Sequence, residues 1–122
     1  MNRGVHLVLG GIAFFLYSWV IGNIEPAVSN PFLPGIIAAL VGSLAPDCLE
    51  PATSWHHRGI CHSRRALWFT GILLGLTFAG LVLPVPSGTP SGFPVLWTVS
   101  CFFLGYFSHL LADACTKMGL PR

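Results

Sequence analysis

The sequence predicts an all-α integral membrane bundle of about four transmembrane helices, with its polar site at the cytoplasmic end. Three observations carry that reading. Of 122 residues, 53% are hydrophobic and only 8% are charged, with a mean hydropathy of +0.73. A soluble domain carries roughly 25% charged residues to cover its surface. The ionised residues also leave three long gaps, with no Asp, Glu, Lys or Arg in 4–24, 26–46 or 66–112. Finally, the basic residues all fall on one side of the topology those gaps define. The composition excludes an ordinary soluble enzyme, a disordered chain and a free nucleic-acid binder. It fits a single membrane-embedded helical domain over residues 1–122.

The first helix is the apolar run from Val5 to Gly22. At about 1.5 Å per residue it nearly crosses a hydrocarbon core of about 30 Å. Arg3 ahead of it resembles the start of a signal peptide, but no small-residue cleavage site follows Trp19, so a retained helix is expected. Pro26, Pro31 and Pro34 make the segment Asn23 to Pro34 a turn. The second run, Pro34 to Ala45, is short for a span and stops at Pro46. It is tilted, extended backward through Phe32 and Leu33, or only partly inserted. Ala66 to Leu83 is a clear third span, followed by a loop over Pro84–Pro94 that is rich in Pro, Gly and Ser. The fourth helix begins near Val95 and continues to about Thr116.

On this topology the amino terminus, the 47–65 connection and the carboxyl tail share a side. That side holds Arg3, Arg58, Arg64, Arg65, Lys117 and Arg122, which are all six basic residues, whereas the opposite side has only Glu25. Basic residues mark the cytoplasmic face. A multi-pass protein of the inner membrane, with both termini cytoplasmic, is expected. Cys48, Cys61, Cys101 and Cys115 form no CxxC pair, so neither a disulfide framework nor a thiolate zinc cage is indicated.

The polar residues capable of chemistry gather on the basic side. His6 opens the first helix, and Asp47 and Glu50 follow the second. His56, His57 and His62 lie in the next connection. His109 and Asp113, at i and i+4, project from one face of the fourth helix. A buried carboxylate in a membrane bundle is costly unless it is paired or holds a cation. Imidazoles with carboxylates suit zinc, manganese or iron. Singly, each has an ordinary role: His6 as an interfacial histidine, Asp47 as a helix cap, His109 and Asp113 as a polar pair between helices, and the arginines as topology signals or lipid contacts. Together, in a chain this poor in polar groups, they favour a site.

The order of these residues carries a family resemblance. His6, Gly42-Ser43-Leu44-Ala45-Pro46-Asp47, His57-Arg58-Gly59 with His62-Ser63, and Gly105-Tyr106-Phe107-Ser108-His109-Leu110-Leu111-Ala112-Asp113 followed by Thr116 and Gly119 resemble the YdjM family. Its members are inner-membrane proteins described as metal-dependent hydrolases and often labelled LexA-binding. The resemblance covers nearly the whole chain and suggests a distant relation to zinc-dependent phospholipase C and S1/P1-type nucleases. One motif departs: many members read Pro-Asp-Ile-Asp-His-Pro, and this chain reads Pro46-Asp47-Cys48-Leu49-Glu50-Pro51.

The expected ligands of a divalent metal, zinc first, are His6, Asp47, His57, His62, His109 and Asp113. With Glu50 as a seventh, the set is large enough for one ion or two clustered ions, which would activate water and clamp a phosphoester. Glu50, and then Asp47, is the expected general base. Arg58, with Arg64 or Arg65, would neutralise a phosphate. Ser63 and Ser108 would support the ligands by hydrogen bonds.

The expected activity is hydrolysis of a phosphoester, most naturally of a lipid, at the cytoplasmic interface of the bilayer. The alternative is a non-enzymatic membrane protein whose metal or polar cluster braces the bundle or docks a partner. An ion transporter ranks third, because its charges belong near the bilayer midplane rather than at helix ends. No direct nucleic-acid binding is expected, since there is no helix-turn-helix and no basic patch beyond three loop arginines. Gly71 and Gly75 permit close packing, within the chain or in a homo-oligomer.

Overall fold

Each apolar run folds as a helix long and apolar enough to cross a bilayer. The computed structural model describes residues 3–24, 31–50, 59–83, 93–116 and 120. Helix α1 spans Arg3–Ile24, α2 Phe32–Leu49, α3 Arg64–Val82 and α4 Phe93–Ala114, and a 3-10 turn covers Ile60–His62 just before α3. The 22 residues of α1 and of α4 reach about 33 Å at 1.5 Å per residue.

The second helix differs from its apolar run. It starts at Phe32, the backward extension through Phe32 and Leu33 that the sequence allowed, and it passes through Pro46 to Leu49 rather than stopping at the proline. Pro46 has no N–H to give to the Gly42 carbonyl and is tolerated where neighbouring groups satisfy the freed backbone. One further turn therefore forms, and it carries Asp47. At the start of α4, Pro94 occupies the first turn, where its missing N–H costs no hydrogen bond.

Helix α4 packs against α1, α2 and α3. The contact with α2 is the closest: a Cβ at Gly42 would fall on the Phe102 carbonyl, and one at Gly105 on the Ala39 carbonyl. Only glycine lets the two backbones approach so nearly. Phe14, Ile21, Ala39, Leu81, Trp97 and Cys101 form the apolar core, and Tyr17 stacks on Trp97. Within it, Ser100 meets the hydroxyls of Tyr17 and Thr77, and Trp97 Nε1 donates to the Pro31 carbonyl at 3.1 Å. Val8, Ile12, Leu16, Trp19, Trp68 and Leu76 are exposed. Apolar side chains outside and hydrogen-bonded polar ones inside are the distribution a lipid solvent selects. The start of α1, the end of α2, the start of α3 and the end of α4 meet at one end of the bundle, an up-down-up-down arrangement.

Candidate metal centre

Five side chains from four elements converge at that end. His6 comes from the second turn of α1, Asp47 from the last turn of α2 and His62 from the 3-10 turn. His109 and Asp113 come from one face of α4. His6, His62, His109 and Asp113 are buried, and Asp47 is partly exposed. His6 with His109 and Asp113, and Asp47 with His62 and His109, form two groups whose donor atoms lie within 4.8 Å of one another.

For His62 and His109 the partner of Nδ1 selects the tautomer. His109 Nδ1 lies 2.7 Å from the Ser43 carbonyl. A carbonyl only accepts, so Nδ1 is the donor, and in the neutral ring Nε2 keeps its lone pair. His62 Nδ1 faces Glu50 Oε2 at 3.4 Å, and donation to that carboxylate likewise leaves His62 Nε2 as an acceptor. The two Nε2 atoms are 3.3 Å apart. Asp47 Oδ1 lies 3.4 Å from His62 Nε2 and 3.6 Å from His109 Nε2. Asp113 Oδ2 lies 3.8 Å and 3.5 Å from the same two atoms. In their neutral forms the two imidazoles thus turn Nε2 lone pairs towards each other, each flanked by one oxygen of Asp47 and one of Asp113.

Their spacing fits a small cation. A tetrahedral ion with bonds of about 2.0–2.1 Å separates its donors by about 3.3–3.4 Å, close to these values. The surroundings fit as well. His6 stacks on His109 with ring centroids 3.7 Å apart, and its Nε2 lies 3.5 Å from Asp113 Oδ1. Among the described residues, His6 Nδ1 and Asp113 Oδ1 are buried without a hydrogen-bond partner. Such orphaned atoms are costly and mark sites completed by something else. Asp113 turns Oδ1 towards His6 and Oδ2 towards His62 and His109.

Glu50 lies on the outer side of His62, so its place is not among the converging donors. Its Oε1 accepts from the Cys61 amide at 3.1 Å while Oε2 faces His62. Burial opposes its ionisation, but the Cys61 amide and the His62 ring prevail and hold its carboxyl below the usual carboxylate range. Both oxygens of the residue expected as general base or seventh ligand are therefore engaged. Ser63 and Ser108 also turn away from the ligands. Ser63 caps α3, accepting from the Ala66 amide and donating to the Ile60 carbonyl, and Ser108 donates to the Gly105 carbonyl. The group that steers His109 is the Ser43 main-chain carbonyl, for which the sequence holds no sign. Arg64 and Arg65 are exposed in the first turn of α3. His56, His57 and Arg58 lie outside the described residues, as do Lys117 and Arg122.

A family model described as "YdjM inner membrane protein" matches residues 1–122. No curated protein and no solved structure matches the chain.

Proposed function

The chain belongs to the YdjM family of inner membrane proteins, and from that membership and the donor cluster we propose a membrane-bound, metal-dependent hydrolase of lipid phosphoesters. The observation that carries the proposal is the pair of Nε2 atoms of His62 and His109, 3.3 Å apart, with Asp47 Oδ1 and Asp113 Oδ2 each 3.4–3.8 Å from both. With both imidazoles neutral, their lone pairs and the adjacent carboxylate oxygens repel one another, and a cation between them would remove that cost.

In this reading Asp47, His62, His109 and Asp113 hold a divalent ion, zinc by preference for the nitrogen and oxygen donors. His6 and the second oxygen of Asp113 offer ligands to a second one. Such an ion supplies Lewis acidity to a phosphoryl oxygen and acidifies a nearby water. Asp47, whose side chain is 20% exposed against 0% for His109, faces the approach from solvent and would accept the proton. Arg64 and Arg65 would neutralise the phosphate, helped by the positive end of α3, whose first turn contains no acid. The site sits where four spanning helices begin or end, the depth of a lipid headgroup. The excess of basic residues at that end of the sequence supports a cytoplasmic orientation.

Elemental analysis of the purified protein tests the centre: one or two equivalents of metal are expected, lost in His109→Ala and in Asp113→Ala. Release of headgroup from anionic phospholipid micelles tests the activity, and it should vanish in the same variants. Metal content unchanged in both variants overturns the site.

The near-complete burial of His6 and His109 favours a second reading, a structural ion that braces the bundle or a face that docks a partner. It predicts full metal content, a lower melting temperature on ligand substitution and no headgroup release from any phospholipid.

A further inference from the structure

Glu50 and Gly59 form a device around His62 that metal ligation alone does not require. Glu50 Oε2 lies 3.4 Å from His62 Nδ1, and Oε1 accepts the Cys61 amide at 3.1 Å, so one carboxylate grips two consecutive residues of the 3-10 turn. A Cβ at Gly59 would fall on that carboxylate. Gly59 has φ −81°, a value open to any residue, so a methyl added here would act by pushing the carboxylate aside rather than by straining the backbone. From the other side the Tyr106 hydroxyl donates to the Cys61 carbonyl at 3.3 Å.

We propose that Glu50 is a positioning residue, which holds the proton of His62 on Nδ1 and thereby leaves the Nε2 lone pair facing Asp47, His109 and Asp113. The inference rests on the metal reading above for its purpose, though not for its geometry. An ionised carboxylate can only accept, so it selects the Nδ1–H tautomer, and the second bond to Cys61 stops it from rotating away. Carboxylates behind metal-bound histidines act in this way and strengthen the ligand.

The substitution Glu50→Gln separates this role from simple bracing, because the amide is isosteric but no longer symmetric. If its oxygen keeps the Cys61 N–H, its NH2 faces His62 Nδ1 and drives the ring proton to Nε2, into the site. If it flips, two donors collide at Cys61.

The test uses the full chain in nanodiscs with 15N-labelled histidine, His62 being assigned by its loss in His62→Asn. In metal-free wild type the His62 resonances should report the Nδ1–H tautomer, and in Glu50→Gln the Nε2–H form should appear. Zinc, titrated against a competing chelator, should bind the variant about 10–100-fold more weakly. Gly59→Ala keeps the carboxylate but displaces it, and should shift both readouts in the same direction should Glu50→Gln fail to fold. A wild-type His62 protonated on Nε2, or a tautomer unchanged in both variants, overturns the proposal. A wild type that binds no zinc removes the metal reading, and the tautomer of the metal-free protein still decides the role of Glu50.

Discussion

His109 illustrates how little freedom a buried imidazole has in this bundle. One nitrogen is committed to the Ser43 carbonyl, one face to His6, and the other nitrogen to the shared volume. Glu50 offers a pH readout at the same scale. Its folded pKa is depressed, so its stabilising contacts are present above the unfolded carboxylate value and lost as the pH falls through the folded one. Glu50→Gln cannot titrate there. It should melt below the wild type at about pH 7, with the gap closing as the pH falls below the ordinary carboxylate range; unfolding followed by tryptophan fluorescence in detergent checks it, and a gap that widens in acid contradicts the sign. The converging residues were legible in the sequence because their types are rare in apolar runs and all sit at helix ends. The place of Glu50 was not, since spacing from Asp47 does not say on which side of His62 a carboxylate lands. Ser43 was equally hidden, acting through a main-chain atom that any residue possesses.

Among the helices, the α2–α4 pair carries the geometry of the site, because Asp47 and Ser43 lie on one and His109 and Asp113 on the other. Gly42 and Gly105 set their separation. Gly42→Ala or Gly105→Ala should cost about 1–3 kcal/mol through forced separation of the backbones and should lower zinc affinity as well as the melting temperature. Gly75→Ala, where an added Cβ meets nothing within 4 Å, should leave both unchanged; equal losses in all three variants would refute the close-approach account. The sequence located this pair of helices but misjudged the end of α2. A proline after a short apolar run reads as a stop, and the rule is sound for a helix in water. Inside a bundle the freed backbone finds other partners, and the helix gains the turn that delivers Asp47.

At the scale of the whole molecule, the four spans followed from the gaps between charges, and their count survives intact. Helix ends shifted by a few residues, because lipid-facing and headgroup-level positions tolerate the same apolar and small residues. Orientation is a separate expectation. With Arg3, Arg64 and Arg65 at the end that bears the site, a fluorescent protein fused after Arg122 should fold and fluoresce in the cytoplasm. An alkaline phosphatase fused at the same point should be inactive, and the reverse pair of results would place the site on the periplasmic side.

The donor cluster also sets an order of events in time. His6 enters the membrane with α1, and Asp113 belongs to α4, so early in synthesis this histidine lacks the carboxylate it meets in the folded bundle. A nascent chain that has inserted only three helices holds His6, Asp47 and His62, without the two α4 residues that link them. Closure of the site thus waits for α4, and a loaded centre would certify that the four helices have come together.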